Sequence, residues 1–177
     1  MLRNLLRAFR CQEPARLPDG AQAPAIELPD TEGRPVAVSK LLEKGPVLAA
    51  FYKVSCPVCQ YTMPFVERIY KAYGGGKAII LGISQDDARD TKEFAGEYGL
   101  TFPSLIDAGD YPVSNAYGLT NVPTFFLIQQ DGTIAASFTG FDKAGLECIA
   151  AGFAEHLSAP PAAVFNSGEK VPNHKPG

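Results

Sequence analysis

The sequence contains no tryptophan, no strong excess of charge of either sign and no long hydrophobic run. The formal net charge of −3 gives no electrostatic basis for binding nucleic acid or an anionic membrane surface. No apolar segment approaches the roughly 18 residues that a membrane-spanning helix requires, so no membrane span is expected. Four cysteines in 177 residues are too few and too irregularly placed for a disulfide scaffold. The 46% hydrophobic content is sufficient for the core of one ordinary domain.

The two ends of the chain differ in composition from its middle. Residues 1–22 are predicted to form a basic, flexible lead-in, and residues 158–177 a proline-rich tail that wanders or lies on the surface. The domain itself is predicted to span residues 23–157. Between Met1 and Arg10 arginines interrupt the apolar residues, whereas a secretory signal needs an unbroken apolar stretch of roughly 7–15 residues. A cytoplasmic location is therefore expected.

Apolar runs and helical patterns alternate within the predicted domain. Val47–Tyr52 and Ala78–Ile83 have the composition of buried parallel strands, and helical patterns follow each of them, from Val58 and from Asp86 or Asp87. The remaining elements are a short strand or extended arm at 36–38, a strand at 102–106, a helical turn at 113–117, a hairpin of strands at 124–129 and 134–138, and a final helix capped by Asp142. This order predicts an α/β fold with parallel strands first and an antiparallel edge last.

The motif Cys56-Pro57-Val58-Cys59 joins the first buried strand to the helix that follows it. Unpaired N–H groups and the positive end of the helix dipole favour a thiolate at Cys56, which is the form that attacks disulfides. Cys59 lies one turn further on, so it is predicted to be more buried and to resolve the mixed disulfide. Pro57 suits the first helical position because its missing N–H would be unpaired there in any case.

Two other readings of the motif remain open from the spacing alone. Half of a zinc site has the same pattern, but the other candidate ligands are scattered, without a second paired motif, over Cys11, Cys148, His156 and His174. No metal is therefore expected. The two cysteines could also be inert core residues. Glu67 and the acidic pair Asp86-Asp87 are predicted to lie on solvated helix faces.

The chain resembles the thioredoxin superfamily, and within it the redoxin (AhpC/TSA) and TlpA-like thiol–disulfide oxidoreductases, over residues 23–157. Three spaced features carry the resemblance: Phe51-Tyr52 before the cysteine motif, Pro64 within the following helix, and Val122-Pro123-Thr124 before a strand. The resemblance implies a three-layer α/β/α sandwich with a mixed central sheet of four to five strands. It also implies a thiol–disulfide oxidoreductase that needs no cofactor beyond its redox-active cysteine pair.

The resemblance further implies that Pro123 is in the cis form and faces the cysteine pair. Substrate contacts are then expected at Pro57, Val58, Val122 and Pro123, with the backbone beside Pro123 pairing with a substrate strand. The expected partners are a disulfide-containing protein or a small thiol and an upstream electron donor, and the protein is expected to be a monomer.

The chain departs from the family pattern near the motif. Ser55 replaces the usual tryptophan, Ala50 replaces a buried acid, and Thr62 stands where many TlpA-like proteins have a glutamate, so the proton acceptor for Cys59 is missing. Lys53 could stabilise a thiolate or could simply be solvated.

Two alternative functions remain open. A thiol peroxidase is disfavoured because Ala49 and Lys53 replace the proline and threonine that orient peroxide in peroxiredoxins, and a non-enzymatic binding module is disfavoured because both cysteines are present.

Overall fold

The computed structural model describes residues 16–73 and 77–177, and its centre is a five-stranded mixed sheet. The strands are β1 Glu27–Pro29, β2 Pro35–Ala37, β3 Val47–Tyr52, β4 Ile79–Ser84, β5 Ser104–Ile106, β6 Thr124–Ile128, β7 Ile134–Thr139, β8 Phe141–Asp142 and β9 His174–Lys175. The helices are α1 Val38–Leu42, α2 Pro57–Ala72, α3 Ala88–Tyr98, α4 Pro112–Ala116 and α5 Lys143–Leu157. The prediction of an α/β sandwich with a mixed sheet is confirmed.

The sheet has the strand order β5-β4-β3-β6-β7. The central strand β3 runs parallel to β4 and antiparallel to β6, so the end of β3 lies beside the start of β6, with Phe51 opposite Thr124. All six residues of β3 are buried, because helices cover both faces of the sheet. The loop after β3 and the loop before β6 therefore meet at one end of the sheet.

Alternate residues of β3 point into two separate cores. Leu48, Ala50 and Tyr52 belong to the core beneath α2, α3 and α5, which also contains Cys59. Val47, Ala49 and Phe51 belong to the core beneath β1, α1 and α4. We call these the α2-side core and the α4-side core.

Each of the three long helices begins or ends on residues with a clear local preference. The side chains of Asp87 and Asp142 cap α3 and α5, accepting from the N–H groups of Asp90 and Gly145. Gly99 ends α3 in the left-handed conformation, as predicted. The predicted stop of α2 at glycines 74–76 falls outside the described residues. The strand predicted at 102–106 is shorter and begins at Ser104.

The described residues that precede and follow the predicted domain both contact its body. Residues 16–22, which the sequence assigns to a flexible lead-in, lie against β7, where the N–H of Gly20 donates to the carbonyl of Ile134 at 2.8 Å. The tail lies on the surface, one of the two courses expected for it, but it is held more extensively than its composition indicates. Val164 is 2% exposed, and Glu169 forms a two-pronged ion pair with Arg68 at 2.7 and 2.9 Å.

Candidate active site

Cys56 occupies the N-cap position of α2 and is partly exposed. Its backbone is extended, Pro57 takes the first helical position as predicted, and the Cys59 N–H donates to the Cys56 sulfur at 3.4 Å. An N–H group directed at sulfur from the start of a helix stabilises negative charge there. The first cysteine therefore has the accessibility and the hydrogen bond that a nucleophile needs.

Cys59 lies one turn along α2 and has no solvent-exposed surface. Burial raises the pKa of the Cys59 thiol far above its ordinary value, and the neighbouring sulfur of Cys56 and carboxylate of Asp86 add to that rise. Cys59 therefore stays protonated at neutral pH. Both cysteines are free thiols in this structure, and the predicted difference in exposure between them is confirmed.

Val122 and Pro123 face the cysteine pair from the loop before β6. The Val122–Pro123 peptide bond is cis, which confirms the expectation for Pro123. The thiol of Cys56 donates to the carbonyl oxygen of Val122 at 3.4 Å, although the two residues are 66 positions apart in the chain. Pro57 is exposed and Val58 is partly buried, so part of the rim between the two cysteines remains open to solvent.

The sequence did not identify Asp86 as a residue of the site. This side chain was expected on a solvated helix face, but its Oδ2 accepts from the N–H of Val54 at 2.7 Å and so holds the loop that carries Cys56. A usable signal was its place just after β4, because β4 is parallel to β3 and the two strands end side by side.

The other residues considered at the sequence level have different contacts. The hydroxyl of Thr62 donates to the carbonyl of Val58 at 2.6 Å, so its proton is already engaged. The Lys53 ammonium lies 6.0 Å from the ring centroid of Tyr111. Cys148 is exposed on α5, and Cys11 lies outside the described residues.

Glu67 was also expected on a solvated face, and that expectation is wrong. Its carboxylate is only 4% exposed and accepts from the N–H groups of Thr101 and Phe102 and from the Thr101 hydroxyl. These bonds tie α2 to the segment that leads into β5. Glu67 therefore anchors the helix that carries the cysteines.

The described residues contain neither a grouped set of metal-ligating side chains nor a helix suited to a membrane. Across residues 16–73 and 77–177, no three His, Cys, Asp or Glu side chains are grouped so that they could hold a metal ion. Over the same residues no helix is both long enough and apolar enough to cross a membrane.

Comparison with known proteins gives consistent results. Residues 20–137 match the family model described as the AhpC/TSA family. The thiol-disulfide oxidoreductase ResA of Geobacillus thermodenitrificans is 35% identical over 122 residues, which cover 68% of this chain and 69% of that protein. The thioredoxin domain of a thiol-disulfide oxidoreductase from Bacteroides vulgatus superposes with a TM-score of 0.62 at 25% identity, covering 71% of this chain and 91% of that one.

A peroxidoxin, BcpB from Mycobacterium tuberculosis, has a similar fold. Its crystal structure superposes with a TM-score of 0.63 at 25% identity, covering 79% of this chain and 96% of the other. Oxidoreductases and a peroxidoxin thus share this architecture, so the fold alone does not choose between their activities.

Proposed function

The chain belongs to the AhpC/TSA family and is a thiol–disulfide oxidoreductase, and we propose that Cys56 is its attacking thiol and Cys59 its resolving thiol. The observation that carries this assignment is the contrast in environment. The Cys56 sulfur is partly exposed and accepts the Cys59 N–H at 3.4 Å, whereas Cys59 is fully buried. Of these two sulfurs, only that of Cys56 can be reached by a disulfide on another protein.

The reaction proceeds in two exchanges. The Cys56 thiolate attacks one sulfur of the substrate disulfide, forming a mixed disulfide and releasing the other sulfur as a thiolate. Cys59 then loses its proton and attacks the Cys56 sulfur, which breaks the mixed disulfide and releases the second substrate thiol. The substrate gains two electrons and the enzyme loses two, because its two thiols are oxidised to a Cys56–Cys59 disulfide. An upstream dithiol donor must then restore the two thiols.

The high pKa of Cys59 makes the second exchange the step that requires help. Burial favours the thiol form, so a base must accept the proton as Cys59 attacks. The thiolate that leaves the substrate in the first exchange is a base that the reaction itself supplies. Proton transfer from Cys59 to that thiolate would couple the second exchange to completion of the first.

Disulfide-containing proteins are the proposed substrates, with Val122 as the contact that receives their backbone. Val122 lies outside the sheet ladder, which begins at Thr124, so its backbone polar groups are at the edge of the site. Pairing with an extended backbone at such an edge is a common mode of peptide recognition. A small disulfide would use the same sulfur without this pairing.

The test uses single cysteine variants in a background with Cys11→Ser and Cys148→Ser, which removes the two unrelated thiols. Cys56→Ser should abolish the reduction of insulin disulfides, and Cys59→Ser should accumulate a mixed disulfide that intact-mass analysis can detect. Full activity of Cys56→Ser would contradict the assignment. Mixed disulfides through Cys59 in a Cys56→Ser variant would reverse the two roles.

A thiol peroxidase is the second candidate, supported by the similarity to a peroxidoxin structure. The absence of the peroxide-orienting proline and threonine, replaced by Ala49 and Lys53, disfavours it. Stopped-flow mixing with hydrogen peroxide should show slow oxidation of Cys56. Rapid consumption of peroxide that depends on Cys56 would make this the main activity.

The cellular setting is also a proposal. We place the protein in the cytoplasm, as a monomer without a bound cofactor. Fractionation with detection of the endogenous protein would test the location, and light scattering after gel filtration would test the monomer. Recovery of the protein in an oxidising compartment would contradict the first proposal, and a dimer mass the second.

A further inference from the structure

Residues Asn173–Gly177, which we call the distal segment, run from the start of α5 towards the active site. The N–H of Lys143 donates to the Asn173 carbonyl at 2.9 Å, and β9 within this segment pairs with β8 in antiparallel register, with Lys175 opposite Phe141. Beyond the pairing, the side-chain amide of Asn121 donates to the carbonyl of Gly177 at 3.1 Å. The segment therefore ends beside the loop that carries Val122 and Pro123.

The end of the distal segment contacts the same carbonyl group as the attacking cysteine. A Cβ atom placed on Gly177 would lie 2.7 Å from the Val122 oxygen, and that oxygen accepts from the Cys56 thiol at 3.4 Å. On the other side, a side chain at Gly140 would collide with the backbone of Lys175. The backbone of the distal segment therefore packs directly against the backbone of this edge, as the backbone of a bound substrate strand would.

The distal segment is tethered by a firmly packed stretch of the tail. Phe165 packs against Phe65 with ring centroids 5.1 Å apart, and the Arg68–Glu169 ion pair lies close behind. The Arg68 side chain holds the pKa of the Glu169 carboxyl down at about 2, so the pair remains charged across the physiological range. A short tether of this kind keeps a segment at high effective concentration over a nearby site.

Lys175 adds a side-chain contact to the backbone pairing. Its ammonium lies 4.7 Å from the ring centroid of Tyr61, which stands on α2 close to Cys59. A cation–π contact at an exposed site is a weak attraction, so it can hold the segment in place and still be displaced by a substrate.

We propose that the distal segment is an internal occupant of the substrate-binding edge, so that a protein substrate must displace it before its backbone can reach Val122. This inference rests on the proposed function of Cys56 and names the regulation of that site. Small disulfides, which need only the sulfur, pass beside the segment. The segment therefore selects for protein substrates that can form several backbone hydrogen bonds along this edge.

The test compares the full chain with a variant that lacks residues 173–177 and with Gly177→Val, which keeps the length but forces a side chain against the Val122 carbonyl. Both variants should lower KM for insulin roughly 3- to 10-fold, because apparent affinity scales with the fraction of molecules whose site is open. For a small aromatic disulfide, KM should change less than about twofold. Lys170→Ala, on the exposed part of the tail, is the matched control and should behave as the full chain.

Equal KM for insulin in the full chain and both variants would overturn the inference. A second measurement tests the inference separately from the proposed function, because this measurement requires no enzymatic turnover. The alkylation rate of Cys56 by a bulky maleimide should rise in the two variants, and it would do so even if no disulfide were reduced. An unchanged alkylation rate would show that the distal segment does not shield Cys56. A raised alkylation rate in a protein that reduces no disulfide would contradict the proposed function alone.

Discussion

The two faces of the sheet are built from alternate residues of the same strands, yet only one of them carries chemistry. The α2-side core contains Cys59, and α2 presents Cys56 at its rim. The α4-side core is closed by an aromatic group in which Phe51, Tyr117 and Phe126 pack with centroids 4.9 to 5.8 Å apart. The difference teaches that the fold separates a face that must admit a partner from a face that only holds the sheet.

Among the described residues, each face has one buried carboxylate that fixes a helix. Glu67 on α2 accepts from Thr101 and Phe102, and Asp107 accepts from the N–H groups of Val113 and Ser114 at 3.0 and 2.7 Å. Asp107 is 1% exposed. The two carboxylates use the same chemistry, so differences between the faces come from what surrounds them.

The largest effects are expected from removing one aromatic ring on each face. Phe141→Ala and Phe126→Ala should each lower the free energy of unfolding by about 3–5 kcal/mol, since both rings are fully buried. Phe141 also packs on Phe65 and Phe165, so only its loss should release the tail. Urea unfolding measures the first effect, and limited proteolysis with mass mapping the second. If the tail were equally resistant to proteolysis in both variants, its attachment would not depend on the α2-side core in the way expected.

Neutralising the buried carboxylates should give the next largest effects. Glu67→Gln and Asp107→Asn each place an amide N–H₂ where backbone N–H groups now donate, and each should cost about 1.5–3 kcal/mol in urea unfolding. The exposed Glu93, paired with Arg89 at 3.8 Å, provides the control: Glu93→Gln should change stability by less than about 0.5 kcal/mol. A loss for Glu67→Gln as small as that for Glu93→Gln would show that the bonds to α2 contribute little.

Raising the pH should destabilise the α2 side selectively. Burial raises the pKa of Cys59 in the folded state above its unfolded value near 8.5, so the folded state retains a proton that the unfolded state loses. The stabilisation is complete below about pH 8.5 and should decline above it by at most about 1.4 kcal/mol per pH unit. Urea unfolding of the reduced protein between pH 8 and 10 measures this slope. Cys59→Ala should flatten it and Cys148→Ala should not; the same slope in Cys59→Ala would assign it to another group.

The smallest effects are expected from two buried tyrosine hydroxyls. Tyr73 donates to the Ala150 carbonyl and accepts from the Ala162 N–H, whereas Tyr117 donates only to the Pro24 carbonyl. Tyr73→Phe should therefore cost about 1–1.5 kcal/mol and Tyr117→Phe about 0.5–1 kcal/mol in thermal or urea unfolding. The reverse order would mean that the link from α2 to the tail is weaker than its two bonds indicate.

The parts that sequence predicted best are those in which the signal is local. Cys56 and Cys59 are close in sequence, and Pro123 directly precedes a strand, so motif and resemblance found them. Glu67 and Asp86 were misjudged because both occupy positions with the spacing of a polar helix face or cap, and their partners lie 34 and 32 residues away. The periodicity of polar and apolar residues along the chain gives no information about such long-range hydrogen bonds.

The tail shows the same limit on a larger scale. Its prolines predict a tail that wanders or lies on the surface, and the tail does lie on the surface, but its attachment depends on single residues that meet partners far earlier in the chain. Arg68 and Glu169 are 101 positions apart, and Asn121 and Gly177 are 56 apart. Composition cannot show which residues of an extended chain find such partners, because that depends on where the rest of the fold brings them.

The parallel pairing of β3 with β4 has a consequence for how proteins of this architecture can vary. Ile79 at the start of β4 lies beside Val47 at the start of β3, at the opposite end of the sheet from the cysteines. Insertions ahead of Ile79 would leave the strand register unaltered, and each doubling of a loop's length costs only about 0.6 kcal/mol. The position just before β4 is therefore the natural place to graft a tag, a linker or a second module without moving the two cysteines.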